Sequence, residues 1–379
     1  MQAVVLVGGE GTRLRPLTLT QPKPAVPLVD RPFIRYMVDW LARHGVAEVI
    51  MACGFRAEDL RIALGDRIAG GPQIRYVEEP EPLGTAGPIR YAADQGLLAD
   101  RFLALNGDVL ADLDLTALIR VHDERDALAT LALHPVSDPS AYGLVRRRTD
   151  GEVLEFLEKP DPGQIDTDEI SAGAYVLERR VLDLVPAGRS CSIEREVFPR
   201  LVDQGLFGER LEGYWMDIGT PARYLQASWD ILEGTVETDT GSRVDESGML
   251  VEDGAEVDAA AEVAPPALIR ADAEVAAGAS VGARAVVGVG TQIAAGASVA
   301  DAVVLDGCRL AAGAVVSNSI LAAGVEVGRR ARICDGAVVG EGARIAAGVV
   351  LDPDARVAAG AEVVAGDLGA PDAGEAEAG

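Results

Sequence analysis

From Val251 onward an aliphatic side chain returns at every sixth position. Val251, Val257, Val263, Ile269, Val275, Val281, Val287, Ile293 and Val299 hold this register. A five-residue step then leads to Val304, Leu310 and Val316, and a second leads to Leu321, Val327, Ile333, Val339, Ile345, Leu351, Val357 and Val363. Two positions before each member after the first stands a small residue or valine, beginning with Ala255, Ala261, Ala267, Ala273, Ala279, Ala285, Thr291 and Ala297. A helix of 3.6 residues per turn cannot keep such a row on one face. A hexapeptide β-helix can, because each short strand turns one side chain inward and each corner takes Gly or Ala. A disordered Ala/Gly-rich segment has no reason to keep the register. Residues 251–365 are therefore expected to form a parallel β-helix, and the acidic stretch 366–379 reads as a disordered tail.

The preceding 233 residues are written in another period. "AVVLV", "EVIMA", "QIRYV", "RFLALNGD" and "ALATLAL" read as strands, with amphipathic segments such as "RPFIRYMVDWLARHG" between them. Strands alternating with helices imply an α/β domain with a mostly parallel, Rossmann-like sheet covered on both faces. Residues 234–250 are polar and acidic and read as a linker.

Charge and rare residues narrow the function. The formal net charge of -26 opposes binding to nucleic acid or an anionic membrane, whose phosphates require concentrated Lys and Arg. Cys53, Cys191, Cys308 and Cys334 match no zinc or redox spacing and read as buried free thiols. His44, His122 and His134 are too scattered for a histidine-built metal site. No apolar run approaches membrane-spanning length and no signal peptide precedes "AVVLVGG", so a cytoplasmic location is expected.

Three features point to an anionic ligand. "LVGGEGTRLRPLT" follows the first strand, so Gly8, Gly9 and Gly11 sit where a parallel sheet opens into a crevice, with Arg13 and Arg15 beside the exposed amides. It is neither a GxGxxG fingerprint nor a P-loop, and a tight turn would use the same glycines. In "LNGDV", Asp108 ends a buried strand after a glycine, a position suited to a Mg²⁺ ligand and equally to a turn or helix cap. Finally, of 34 basic side chains only two are lysine, Lys23 in "QPKP" and Lys159 in "FLEKP", each followed by proline, which predicts an extended backbone at both. Lysine differs from arginine in being a slim point charge on a flexible stem.

These motifs, with "EEPEPLGTAGP", "YGLV", "ISAGAYVL", "SIEREVFP" and "GYWMDIGTP" following in order, resemble the sugar-1-phosphate nucleotidyltransferases, the NDP-sugar pyrophosphorylases, along the whole first domain. "PLGTAGP", "SIEREVFP" and "GYWMDIGTP" are most similar to the guanylyltransferase branch that takes mannose 1-phosphate and also carries a C-terminal hexapeptide solenoid. The resemblance implies a left hand for that solenoid. It also implies homo-oligomers as an expected partner state, through the solenoid. An acyltransferase role for the repeat would call for a histidine base, and no histidine lies beyond His134.

The residues implied by the resemblance are as follows. Leu6, Gly8, Gly9, Gly11, Thr12, Arg13, Lys23, Glu79, Pro82, Leu83, Gly84, Thr85, Ala86, Asn106, Gly107 and Asp108 would bind the nucleotide, GTP in the closest branch. Tyr142, Gly143, Glu158, Lys159, Ser171, Gly173 and Asp217 would bind the sugar phosphate, with Glu158 on hydroxyls and Lys159 on phosphate. Asp108 and Asp217 would hold Mg²⁺, and Arg13, Lys23, Asp108, Lys159 and Asp217 would carry catalysis. Ser171 replaces an asparagine common in the relatives, which leaves the sugar more open than the reaction. Trp215 reads as a cover for the sugar or as core. Uridylyl-, adenylyl- or thymidylyl-transfer to glucose 1-phosphate, a heptose guanylyltransferase and a non-catalytic paralogue are the alternatives.

Overall fold

The structure, a computed structural model, describes residues 1–54 and 56–364; the tail expected at 366–379 lies outside them. By contact the chain forms two compact units, Met1–Gly9 with Pro32–Asp217, and Glu10–Arg31 with Ile218 onward. The sequence segmentation placed residues 1–233 together, whereas Glu10–Arg31 and residues 218–233 group with the solenoid. Packing within the second unit explains the difference. The Tyr224 hydroxyl donates to the Pro27 carbonyl, Thr240 donates to Asp30 at 2.8 Å, and Arg243 pairs with Asp30 at 3.2 Å. The stretch 234–250 is correspondingly packed: Val236, Thr238 and Thr240 are buried and the first solenoid strand starts at Met249.

The first unit is a nine-stranded sheet with helices. Its strands are β1 (Gln2–Leu6), β2 (Glu48–Cys53), β3 (Gln73–Glu78), β4 (Arg101–Asn106), β5 (Ala129–Pro135), β6 (Gly143–Arg147), β7 (Val153–Glu158), β8 (Glu169–Glu178) and β9 (Leu206–Arg210). The order β3-β2-β1-β4 is parallel throughout, the arrangement of a nucleotide-binding half-sheet. Beyond it β8 runs antiparallel to β4, and β5, β6, β7 and β9 extend that flank. The apolar runs follow from burial on both faces: Val4, Ile50, Ala104, Leu131 and Tyr175 share one core cluster. Helix α1 (Phe33–Arg43) buries Phe33, Ile34, Met37, Val38 and Leu41 on its inner stripe, and the Trp40 indole donates to the Leu113 carbonyl at 2.9 Å.

In the second unit three strands make each coil and stack into parallel sheets of seven, seven and five strands, the architecture of a left-handed β-helix. The inward row Ile269, Val287, Val304, Leu321 and Val339 lies in direct register. The two five-residue steps fall at one corner, so the coils from Val287 to Val304 and from Val304 to Leu321 are one residue shorter than their neighbours. Corners require a left-handed residue. Gly278, Gly296, Gly313 and Gly348 supply it along one edge, where Arg330 takes the same position in one coil, and Asp272, Arg284, Asp301, Asn318 and Asp354 supply it elsewhere, which corrects the expectation of Gly or Ala alone. Cys53, Cys191 and Cys308 are buried free thiols, while Cys334 is only half-buried.

Candidate active site

At the C-terminal edge of the parallel strands, backbones approach too closely for side chains. A Cβ on Gly107 would lie 2.6 Å from the Leu6 carbonyl oxygen, which accepts from the Gly107 amide at 2.9 Å. A Cβ on Gly54 would lie 2.8 Å from the Gly8 carbonyl oxygen, so the loops after β1 and β2 touch through glycine. Gly54 was missed in the sequence because it stands alone in "MACGF". Gly9 has open space around it.

The turn after β3 is built around a buried carboxylate. Glu79 Oε2 accepts from the Leu83 amide at 2.8 Å, and burial holds its carboxyl above the usual range. Pro82 lies inside the loop so closed. Gly84 has φ 78, and a Cβ there would lie 2.6 Å from the Cys191 carbonyl oxygen. That oxygen accepts from the amides of Thr85 at 3.1 Å and Ala86 at 2.9 Å. Helix α2 (Gly87–Asp94) follows, with Pro88 in its first turn as the motif predicts. The Thr85 hydroxyl donates to Glu194 Oε2 at 2.6 Å and accepts from the Ile193 amide at 2.9 Å. "SIEREVFP" is thereby stitched to "PLGTAGP". The stitching residues Cys191, Ile193 and Glu194 were not among the sequence-predicted site residues, although the motif itself was evident.

A second set lies around β4, β6, β7 and β8. Beyond Asp108, Val109–Ala111 pairs antiparallel with Trp215–Asp217, placing Asp217 opposite Val109 and hence one residue from the register of Asp108. One short ladder thus brings two acidic residues, 109 positions apart in sequence, to neighbouring backbone registers. Asn106 abuts Gly173, whose left-handed conformation (φ 70) leaves no room for a Cβ, 2.8 Å from the amide nitrogen. Ser171 donates to the Tyr175 hydroxyl at 3.4 Å, and burial drives that phenol well above its ordinary range. The Trp215 indole donates to the Ala172 carbonyl at 2.8 Å and meets Tyr142 edge-on, ring centres 5.2 Å apart. Half-buried, Trp215 is a wall beside Tyr142.

Gly143 pairs with Glu158 across β6 and β7, and a Cβ on it would strike Phe156 at 2.5 Å. The Glu158 carboxyl is held above the usual range by burial and then by the charge of Glu194, offset in part by Lys159 and Arg195. Lys159 corrects the expected extended backbone. Its amide closes the ladder onto the Tyr142 carbonyl at 3.0 Å, and the chain then turns through a left-handed φ of 54. A lysine there costs about 1 to 3 kcal/mol of local strain.

Within the second unit, Gly11 and Lys23 are packed together. Gly11 has φ 63, and a Cβ there would lie 2.9 Å from the Lys23 Cβ; the Thr18 hydroxyl donates to the Gly11 carbonyl at 2.8 Å. Lys23 is only 8% exposed and opens a 3-10 turn, Lys23–Ala25, so it is not extended either. Thr12 and Arg13 form an exposed turn with Leu14 buried beneath. None of the three histidines is placed as a nucleophile's base. His122 is buried between Thr130 and Glu178, His134 lies beside Trp215, and His44 meets Thr116. Among the described residues no cluster of three or more metal-ligating side chains is found.

Comparison with known proteins places this geometry. The family model "Nucleotidyl transferase" matches residues 2–234, and "GMPPB C-terminal domain" matches residues 263–363. The chain belongs to the nucleotidyl transferase family. Among curated nucleotidyl transferases, a mannose-1-phosphate guanylyltransferase of Mycobacterium tuberculosis is 42% identical over 69% of this chain and 72% of its own length. A probable mannose-1-phosphate guanylyltransferase 1 of Oryza sativa is 41% identical over 59% of this chain and 63% of its own length. A crystal structure of HddC from Yersinia pseudotuberculosis complexed with GMP-PN has a TM-score of 0.52 and 28% identity, covering 60% of this chain and 97% of that one.

Proposed function

We propose that the enzyme transfers a guanylyl group from GTP to mannose 1-phosphate, giving GDP-mannose and pyrophosphate, with Mg²⁺ as cofactor. The observation that carries the reading is the ladder setting Asp217 opposite Val109, beside Asp108, at the edge where the glycine loops open. The guanylyltransferase names of the similar proteins support the choice of base and sugar.

The donor set suits Mg²⁺: two hard carboxylates leave coordination positions for phosphate oxygens, which is how this ion is commonly held. When bound, the ion would neutralise charge on the triphosphate and its leaving group. The chain's own residues do the rest. The sugar phosphate is already a nucleophile, so no base is needed to deprotonate it. Its oxygen attacks the α-phosphorus in line, and pyrophosphate departs with the bonding electron pair. Lys159 holds the sugar phosphate, Glu158 accepts its hydroxyls beside Tyr142 and Gly143, and Arg13 and Lys23 hold the triphosphate, so that two mutually repelling anions are aligned.

The turn Leu83–Ala86, fixed by Glu79, Cys191 and Glu194, receives the base. Pyrophosphate release measured with four nucleoside triphosphates against mannose, glucose and heptose 1-phosphates tests the proposal. GTP with mannose 1-phosphate is expected to be the best pair by kcat/KM, and a better turnover with any other pair would replace it.

A further inference from the structure

The turn Leu83–Ala86 is held from a distant part of the chain. The amides of Thr85 and Ala86 both donate to the Cys191 carbonyl, and the Cys191 amide donates to the Leu83 carbonyl at 2.9 Å. The Thr85 hydroxyl is used twice, accepting from the Ile193 amide and donating to Glu194 Oε2. The Ser192 hydroxyl donates to that same oxygen at 2.9 Å and accepts from the Arg195 amide at 3.2 Å. Two hydroxyl donors on one carboxylate oxygen fix the Glu194 side chain in place. The turn and residues 191–195 therefore move together.

Ile193–Val197 is a π-helical turn, in which the Phe198 amide reaches the Ile193 carbonyl five residues back. Such turns are rare and frequently mark functional sites. This one is anchored on the sugar side of the site. It packs against β7, with the Phe198 ring centre 5.3 Å from that of Phe156 on β7 and 5.0 Å from that of Tyr175 on β8. Glu194 is thus carried beside the end of β7, where Glu158 stands.

The charged and titratable groups that act on Glu158 are Glu194 and Arg195 from this turn and Lys159 from its own strand end, and Glu158 and Glu194 both act on Tyr175 from β8. Burial first, and then the charge of Glu194, holds the Glu158 carboxyl above its usual range, with Lys159 and Arg195 opposing. A glutamine in place of Glu194 could accept the same two hydroxyls without repelling Glu158. What the carboxylate adds is its charge.

Resting on the reading that the turn receives the base and Glu158 the sugar hydroxyls, we propose that Glu194 is a positioning residue for both half-sites: through Thr85 it sets the turn, and through its charge it makes Glu158 a stronger acceptor. A turn out of place carries Glu194 with it, so the sugar carboxylate senses whether the base site is set.

Initial rates of pyrophosphate release by the full chain, measured over a range of pH, separate the two roles. Thr85→Val removes the hydroxyl and leaves the charge. KM for the nucleotide is expected to rise about tenfold, the scale of a lost hydrogen bond to a charged group, while the acidic limb in KM for the sugar phosphate stays where the parent has it. Thr85→Ser is expected to restore the nucleotide KM. Glu194→Gln keeps the acceptor and removes the charge, so that limb is expected to move to lower pH. Loosening of the fold would change the amplitude of both profiles without displacing the limb of one. A limb unmoved in Glu194→Gln, or a parental nucleotide KM in Thr85→Val, would overturn the proposal. A limb that persists in Glu158→Gln would overturn the underlying assignment of Glu158 to the sugar, so the two failures are told apart.

Discussion

Lys23 is buried to 8% exposure with its stem against Gly11, where no further atom fits. A guanidinium is wider and planar, so Lys23→Arg keeps the charge and loses the fit; steady-state kinetics should show kcat/KM falling at least about tenfold. Asp108→Asn and Lys159→Ala should each lower it about a hundredfold or more, the scale of one lost transition-state charge contact. Near-parental turnover in either would remove that residue from the site. Glu158 makes a pH prediction. Its raised pKa means that the carboxylate is lost at a higher pH than in an ordinary glutamate, so KM for the sugar phosphate should rise as pH falls through that value. Glu158→Gln should have a high KM throughout and no such limb; titration of the substrate phosphate is common to both proteins and cancels in their ratio. The sign for stability runs the other way. A carboxyl with a raised folded pKa favours the fold below its unfolded pKa, and that contribution disappears as pH rises through the folded value, so Glu158→Gln should not lower Tm at pH 7. The lysines were legible in sequence because composition singled them out. Their backbone was not: a proline at the next position argues for extension, but a ladder hydrogen bond from Lys159 and a tight turn at Lys23 override that local preference.

Elements gather what the sequence keeps apart. Period and strand alternation made the parallel half-sheet and the solenoid legible, because burial of both faces of a sheet and the core of a coil each leave a regular apolar pattern. The ladder between Val109–Ala111 and Trp215–Asp217 leaves none, being three residues long, and only the family motifs pointed to Asp217. Glu194 was missed for a related reason: its partner Thr85 lies 109 positions away, and no local pattern encodes a hydrogen bond at that range. Gly84→Ala tests the stitched turn. The added methyl meets the Cys191 carbonyl oxygen at 2.6 Å with φ 78, so KM for the nucleotide should rise markedly more than KM for the sugar phosphate. In the solenoid, Leu321 is fully buried in the inward row, and Leu321→Ala should cost about 2 to 5 kcal/mol, read as a lowered Tm or denaturant midpoint.

At the scale of the whole molecule, the proposed reaction asks an acidic protein to bind two anionic substrates, so its positive charge has to be local and its carboxylates countered where phosphates arrive. Chelation is therefore expected to abolish pyrophosphate release and added Mg²⁺ to restore it; full activity in excess chelator would contradict the assigned role of Asp108 and Asp217. The direct stacking of Ile269, Val287, Val304, Leu321 and Val339 has an engineering consequence. Within the stack each coil's strands pair only with those of the coil before and the coil after it, so the solenoid behaves as a ruler graduated in whole turns. Deleting or duplicating one complete turn would change its length by a single graduation without changing what any neighbouring turn must match.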